Sequence, residues 1–382
     1  PSPGIPIAAA PVVARRRRSP TMEFLDRMKA ERKKWKKARK QKKKEQAKTR
    51  DLPDFGGAAS SDEASAYDSK VEDGIAGTVI MFSGCQDSQT SADVHDVASF
   101  GLPDAEGAGG ACTQSLLKSI EEGEATSWMA TLKAMRAILA TKRFTQIPQL
   151  STSRRVNLHD PFTVKVGDGK TKALLIGINY VGQQGELAGC HNDVIGMRQF
   201  LVEHGYEEDR IKVLLDDGAH EPPTHDAILA GFDWLSEDAE AGDSLFCHYS
   251  GHGGSVRDDD GDEGDGYDET LVPLDYQAAG QIRDDVIFGR LVAPVPRGAH
   301  LTVLIDACHS GTVLDLPYVF QGTDDALVAA EEAEPDAATV QPNASFDMSF
   351  LMALAKQLFA MKQGGATNAE LCTYLGKALG MG

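Results

Sequence analysis

Two segments, SLFCHYSGHGG at residues 244–254 and LTVLIDACHSG at residues 301–311, decide the fold class of this 382-residue chain. Each begins with a short apolar run that is typical of a buried strand and then passes into a polar turn that contains glycine. Similar apolar runs lie at 173–178 and 211–215, and segments with helical spacing of apolar residues separate them. Strands that alternate with helices predict an α/β fold with a mostly parallel central sheet, sandwiched between helices.

An earlier block of predicted elements precedes these strands. A strand is predicted at 78–82, helices at 111–122 and 127–141, and a short edge strand at 146–151. In the later block, the predicted helices lie at 193–204, 224–240 and 284–292.

Polar side chains follow two strands of the later block, with His252 after one and Cys308 after the other. Because the carboxyl ends of parallel strands lie at one edge of a sheet, we expect these residues to approach each other. A thiolate is a nucleophile, and an imidazole can accept its proton and return it to a leaving amine. The glycines beside His252 leave backbone amides for an oxyanion hole. The pair is therefore a candidate catalytic dyad; the alternative is a buried structural cysteine beside a loop histidine.

The other five cysteines are weaker candidates for the nucleophile. Cys247 lies within a strand, and Cys112 and Cys372 lie on predicted helices, which favours packing roles. Cys190 directly precedes His191, and neighbouring residues cannot easily form an attack dyad. Cys85 follows a predicted strand and stays a minor rival. The cysteines form no CxxC pair, so neither a disulfide scaffold nor a zinc ribbon is indicated, and a reducing compartment is expected.

These segments resemble the metacaspases, a family of caspase-like cysteine peptidases. The resemblance rests on YSGHGG at 249–254 and DACHSG at 306–311, and on LLIGINY at 174–180, GCHND at 189–193 and DETLVPLD at 268–275. A further segment, FSGCQDSQTSAD at 82–93, is similar to the family's small subunit but precedes the catalytic block. This order is similar to that of type III metacaspases, and it implies a caspase-like fold with a rearranged subunit order.

Composition and this resemblance divide the chain into six segments. They are a basic head at 1–50, a linker at 51–77, a small-subunit-like block at 78–151, a connector at 152–171, a catalytic large-subunit-like block at 172–320 and a helical tail at 321–382. Strands about 4.8 Å apart make a six-stranded sheet only roughly 24 Å wide, so the connector can bridge the sheet in either chain order.

The resemblance also implies a specificity pocket formed by Asp193, Ser250 and Asp306, with Cys190 beside them. Two carboxylates near the nucleophile favour Arg or Lys before the scissile bond, through charge-assisted hydrogen bonds, and disfavour aspartate. For Asp193 the alternative role is a helix N-cap, because Asn192 and Asp193 open a predicted helix. The two roles can coexist.

A calcium site is implied by the resemblance at Asp268, Asp284 and Asp285. Hard carboxylate oxygens from two loops suit Ca²⁺, which tolerates irregular coordination better than Mg²⁺ does. The loop at 258–269 holds eight carboxylates, but it does not match an EF-hand, because Glu263 stands where glycine is required. Most of this loop is interpreted as a solvated acidic segment.

Charge separates a basic head from an acidic body. Residues 1–50 carry 18 Lys and Arg against 4 Asp and Glu, whereas the remaining residues carry 21 against 53. Such a body is expected to repel nucleic acid and suits cationic substrates or metal ions.

No run of 18 apolar residues occurs, so no membrane-spanning helix is predicted. We expect a cytoplasmic monomer, with an organellar transit segment left open by the acid-free first 22 residues.

The resulting hypothesis is a calcium-dependent cysteine endopeptidase that cleaves protein or peptide substrates after Arg or Lys. One alternative is a catalytically weak, caspase-like calcium-sensing scaffold that binds basic peptides, and another is a cysteine peptidase with acidic specificity. A further hypothesis is that the basic head binds the acidic pocket of its own chain and acts as an intramolecular decoy.

Autocatalytic cleavage by such an enzyme has few available sites. Residues 298–355 contain no Lys or Arg, so the segment around and after Cys308 offers nothing to cut. Basic residues remain in or beside the connector, at Arg154, Arg155, Lys165, Lys170 and Lys172. We expect calcium to be the main switch and autocleavage to trim the head.

Overall fold

The buried apolar runs form strands. The computed structural model describes residues 61–84, 93–94, 109–144, 146–257, 267–308, 310–333, 339–343 and 346. The strands in these ranges are β1 (Thr78–Ser83), β2 (Asp93–Val94), β3 (Gly109–Gly110), β4 (Gln149–Thr152), β5 (Thr171–Gly177), β6 (Ile211–Leu215), β7 (Ser244–Ser250), β8 (Gly253–Arg257), β9 (Tyr267–Leu271), β10 (Ile282–Arg283), β11 (His300–Asp306), β12 (Tyr318–Gln321) and β13 (Gln341–Pro342).

Helices begin where capping side chains or glycines precede apolar periodic segments. Ser127, Thr224 and Thr323 each accept a hydrogen bond from the backbone amide three residues later, which satisfies one free donor of the helix that follows. The helices are α1 (Ser61–Gly74), α2 (Ala111–Glu121), α3 (Trp128–Thr141), α4 (Cys190–Glu203), α5 (His225–Ser236), α6 (Tyr276–Ala279), α7 (Asp284–Ile287) and α8 (Asp324–Glu332), with a 3₁₀ turn at Glu208–Arg210 and a π-helical turn at Phe288–Val292.

The central sheet has eight strands in the order β13-β12-β4-β1-β11-β7-β5-β6. The five strands from β1 to β6 in this order pair in parallel, and β4, β12 and β13 add antiparallel pairings at the other side. Strand β1 from the small-subunit-like block pairs directly with β11 from the catalytic block, in a register that places Ser83 opposite Ile305. Both blocks therefore build one sheet.

Alternate residues of the central strands point into two separate cores. On β11, Leu301, Val303 and Ile305 face one core, whereas Leu304 faces the other. The first core packs against α5 and the segment 286–295, and the second packs against α2, α3 and α4. Burial on both faces is the reason that these strands are almost continuously apolar. The fold class predicted from the sequence, a mostly parallel sheet between helices, is confirmed.

A small antiparallel sheet stands next to the carboxyl end of β7. It has the order β10-β9-β8, and β8 begins three residues after the end of β7. No apolar run predicts this sheet from the sequence, because its strands are short and mostly polar.

Several predicted elements differ from the structure. Residues 61–74, assigned to a linker, form α1, which is held by the Tyr67 hydroxyl on the Pro317 carbonyl and by the Asp68–Arg155 ion pair. The predicted edge strand β4 lies between β1 and β12, so it is an interior strand. The start of the predicted helical tail completes β12 and continues into α8, and the sheet has eight strands rather than six.

Some predictions fall outside the described residues. These are the basic head, Cys85, Cys372, the acidic residues 258–266 and the apolar segment 350–361. Within the described ranges, no helix combines the length and the apolar character that a bilayer crossing requires.

Candidate active site

The pairing of β7 with β11 brings His252 and Cys308 to neighbouring strand ends. The parallel register places Ser250 opposite Asp306, and each candidate residue lies two positions further along its own chain segment. The amide of Gly251 donates a hydrogen bond to the Asp306 carbonyl at 3.3 Å, so the two segments stay together beyond the sheet. A Cβ atom on residue 253 would overlap with the Cys308 carbonyl oxygen, which makes glycine necessary there. Both candidate side chains are half-buried.

The imidazole of His252 is oriented by a backbone carbonyl that the sequence analysis did not identify. Its Nε2 atom lies 2.6 Å from the carbonyl oxygen of Gly185. A carbonyl only accepts hydrogen bonds, so Nε2 carries the proton and Nδ1 of the neutral ring is left as an acceptor. This tautomer is the one that allows Nδ1 to take a proton from a thiol. No local sequence signal marks Gly185, which lies 67 residues before the histidine.

The described rival cysteines are poorly suited to be nucleophiles. Cys112, Cys190 and Cys247 are all buried. Burial raises the pKa of the Cys247 thiol, which opposes thiolate formation. Cys308 is the most exposed of the four described cysteines.

Asp193 and Asp306 lie together in a buried polar cluster. Asp193 is completely buried in the first turn of α4, and it accepts a hydrogen bond from the Ser250 hydroxyl at 2.7 Å. Burial, followed by the nearby charge of Asp306, raises the pKa of Asp193 well above its ordinary value. Cys190 belongs to the same helical turn, where its amide binds the Asn179 side chain. The structure therefore brings together the four residues predicted for the specificity pocket.

The first turn of α2 closes over this acidic pair. The amide of Gly110 and the side-chain amide of Gln114 donate to Asp193 at 2.8 and 2.7 Å, and the amide of Thr113 donates to Asp306 at 2.7 Å. A Cβ atom on residue 110 would overlap with the Asp306 carboxylate, so glycine is required there as well. The small-subunit-like block thus contributes directly to the cluster, which the sequence did not indicate.

The alternative role of Asp193 as an N-cap is wrong. Helix α4 begins at Cys190 with Gly189 as its N-cap residue, and no side chain caps it. Asp193 lies within the first turn of the helix, where an acidic side chain interacts favourably with the helix dipole.

A second acidic cluster includes a residue of the segment that follows Cys308. Carboxylate oxygens of Asp284, Asp285 and Asp315 all lie within 4.8 Å of one another. The predicted ligand Asp268 lies on the adjacent strand β9, and its carboxylate forms an ion pair with Arg283 at 3.1 Å. The amide of Glu269 donates to Asp284 at 2.6 Å, which joins β9 to the cluster. Three close carboxylates of this kind are a donor set that suits a calcium ion.

Asp315 is the cluster member that the sequence analysis missed. It lies seven residues after Cys308, in a turn with a positive φ of 42°. An isolated aspartate in an apolar segment carries no metal-binding pattern, so only the folded chain brings it to Asp284 and Asp285.

Comparisons with known proteins agree with this architecture. The family model described as "Metacaspase, peptidase C14 domain" matches residues 171–317, and the one described as "Caspase domain" matches residues 16–159. The fold and these matches define a caspase-like cysteine peptidase.

Individual relatives narrow the class. The chain is 48% identical to Metacaspase III c of Phaeodactylum tricornutum over 266 residues. This aligned region covers 67% of this chain and 79% of that protein. It is 55% identical over 154 residues to Metacaspase-1 of Mycosarcoma maydis, covering 40% of this chain and 38% of that protein. The chain belongs to the metacaspase family of cysteine peptidases, so its substrates are proteins or peptides.

Proposed function

We propose that this chain is a calcium-dependent cysteine endopeptidase that cleaves after Arg or Lys, with Cys308 as nucleophile and His252 as general base. The observation that carries the proposal is the placement of both residues two positions beyond the paired strand ends Ser250 and Asp306, next to a buried pair of carboxylates, Asp193 and Asp306.

The proposed chemistry begins with proton transfer from the Cys308 thiol to Nδ1 of His252. The thiolate attacks the scissile carbonyl, and the imidazolium then donates its proton to the leaving amine. The Gly185 carbonyl favours the tautomer of His252 that is protonated at Nε2, because it accepts a hydrogen bond from that N–H group. The backbone of Gly253 touches Cys308, and its amide is our candidate donor to the oxyanion. Water then hydrolyses the acyl-enzyme with His252 again acting as base.

Specificity is assigned to the Asp193–Asp306 pair. A guanidinium or ammonium group would neutralise two carboxylates that otherwise repel each other in a buried site. In the described conformation, Gly110, Thr113 and Gln114 at the start of α2 donate hydrogen bonds to this pair, in addition to the Ser250 hydroxyl. A basic substrate side chain must therefore replace some of these donors, and movement of α2 is part of the proposed binding step.

Calcium is assigned to Asp284, Asp285 and Asp315, with Asp268 as a fourth carboxylate. Bound calcium would neutralise the clustered charge and hold the segment of Asp284 and Asp285 next to that of Asp315. Its contribution would be structural rather than chemical. Asp315 follows Cys308 by seven residues. Calcium bound to Asp315 would therefore also restrict the motion of the segment that carries the nucleophile.

Autocleavage after Arg154 or Arg155 is disfavoured by the packing of these residues. The guanidinium of Arg154 is half-buried and donates hydrogen bonds to the carbonyls of Ala76 and Ser153, and Arg155 pairs with Asp68. A second active site would have to extract these residues from the fold before cutting beside them. This disfavours Arg154 and Arg155 as autocleavage sites and leaves the other basic residues of the connector and those of the head.

The proposal is tested with matched fluorogenic peptides that differ only in Arg, Lys or Asp before the scissile bond. We expect turnover of the Arg and Lys peptides in calcium and none after chelation, with Cys308→Ala as the inactive control. Turnover of the Asp peptide alone would refute the specificity, and binding of basic peptides without turnover would identify a scaffold.

A further inference from the structure

Tyr180, three residues after the end of β5, has an unusual backbone conformation. Tyr180 has a φ of 53°, in the left-handed region that residues other than glycine rarely adopt, and its side chain is fully buried. Such a conformation costs free energy and persists only where surrounding contacts enforce it.

Tyr180 supports His252 in two ways. Its ring packs against the imidazole, with the ring centroids 4.7 Å apart and the planes tilted by 34°. Its hydroxyl accepts a hydrogen bond from the backbone amide of His252 at 3.0 Å and donates one to the carbonyl of Val272 at 2.6 Å. The position of the imidazole therefore depends on the position of Tyr180.

A single carboxylate holds the backbone on both sides of Tyr180. Asp216, directly after the edge strand β6, accepts from the amide of Asn179 at 2.9 Å and from the amide of Val181 at 3.1 Å, with one oxygen each. The ring of His191 lies 2.6 Å from the same oxygen that binds Asn179. Burial acts to raise the pKa of Asp216, but these hydrogen bonds outweigh it and the pKa lies below its ordinary value.

We propose that Asp216 is a positioning residue for His252, acting through Tyr180. By binding the two amides that flank Tyr180, the carboxylate enforces the left-handed conformation that directs the tyrosine ring and hydroxyl toward the histidine. The segment that begins at Asn179 also carries Gly185, whose carbonyl binds Nε2 of His252. Asp216 thus supports both contacts that orient the imidazole, although it touches neither the imidazole nor the substrate.

This inference rests on the proposed role of His252. It goes beyond that role because Asp216 belongs to neither the dyad, the acidic pair nor the calcium cluster. The geometry assigns the carboxylate a task that an asparagine can meet only in part, since the two backbone donors bind different oxygens and an amide has an acceptor oxygen at one of these two positions only.

The test compares Asp216→Ala and Asp216→Asn in the full chain. Displacement of the base should lower kcat on the order of 10²-fold in Asp216→Ala, with KM changed much less, and by an intermediate factor in Asp216→Asn. The matched control is Asp217→Ala, because the Asp217 carboxylate binds only Ala219 and His220 of its own loop among the contacts described. This control should keep wild-type kcat.

A second readout separates positioning from structural support. The rate of Cys308 alkylation by iodoacetamide is followed by mass spectrometry as a function of pH, together with thermal melting of each variant. Positioning predicts that both Asp216 variants change the pH dependence of alkylation in the folded protein. A lower melting temperature with an unchanged alkylation profile and unchanged kcat would overturn the inference.

The same design distinguishes the two proposals. If wild-type protein fails to cleave any basic peptide, the proposed function fails, but the alkylation profiles still report whether Asp216 governs the environment of His252. If wild-type protein is active and Asp216→Ala matches Asp217→Ala in both readouts, only the positioning role is refuted.

Discussion

Replacing Asp193 by asparagine keeps the shape of the acidic pair but removes the charge that Asp193 would carry when a basic side chain binds. Asp193 has three described donors: the Gly110 amide and the Ser250 hydroxyl on one oxygen, and the Gln114 side chain on the other. An asparagine oxygen can retain the first two, and rotation of the Gln114 amide can present its oxygen to the new NH₂ group. Alanine, in contrast, would leave three donors unsatisfied, at about 1–3 kcal/mol each, against a typical total stability of about 5–15 kcal/mol.

The expected loss of activity follows from the removed charge. Loss of one carboxylate partner from a buried guanidinium costs on the order of 2–5 kcal/mol. At about 1.4 kcal/mol per factor of ten, kcat/KM for an Arg peptide should fall by roughly 30-fold to 4,000-fold. A peptide with citrulline, the neutral isostere of arginine, provides the control and should show little difference between wild type and Asp193→Asn.

Stability gives an independent signature of the same group. Burial and Asp306 raise the pKa of Asp193 above its model-peptide value of 3.8, so the folded state retains a proton that the unfolded state releases. The free energy of unfolding of the wild type should therefore fall as pH rises from about 4 toward the raised pKa, and Asp193→Asn should lack this decrease. Thermal melting of both proteins across this range measures it. Wild-type turnover of the Arg peptide by Asp193→Asn would refute the acidic pocket.

Three further predictions concern the dyad, the metal site and the head. His252→Ala should reduce cleavage to the background of Cys308→Ala without changing the melting temperature appreciably; residual turnover well above that control would argue for a different base. Asp315→Asn should raise the calcium concentration needed for half-maximal turnover and weaken calcium binding measured by calorimetry, whereas an unchanged response would remove Asp315 from the site. Deletion of residues 1–50 should increase activity at low salt more than at high salt, because salt screens the attraction between head and body. If the deletion changes activity at neither salt concentration, the decoy hypothesis is rejected.

The sequence was sufficient for the parallel strands of the central sheet and for the main motifs. Apolar runs such as 301–305 are buried on both faces, so their composition alone identifies them as central strands. The same pattern predicts that polar residues just beyond two parallel strands lie close together, and His252 and Cys308 each lie two positions beyond the paired residues Ser250 and Asp306. The motifs around them also predicted the metacaspase family, which the comparisons confirm.

Local patterns failed where an element is stabilised by distant partners. Helix α1 was assigned to a linker because its composition is small and polar, yet Tyr67 and Asp68 attach it to residues 317 and 155. Strands β8 and β9 are short and polar, and only their mutual pairing makes them strands.

The tertiary structure alone decided how the site is assembled. Asp315 joins Asp284 and Asp285, α2 covers the Asp193–Asp306 pair, and Asp216 holds both amides beside Tyr180. Each of these contacts joins residues that are tens of residues apart, and each depends on directional hydrogen bonds or charges rather than on hydrophobic periodicity. Periodicity determines which face of an element is buried, and therefore the sheet, whereas the partner of a buried polar group is fixed only when packing has brought the elements together.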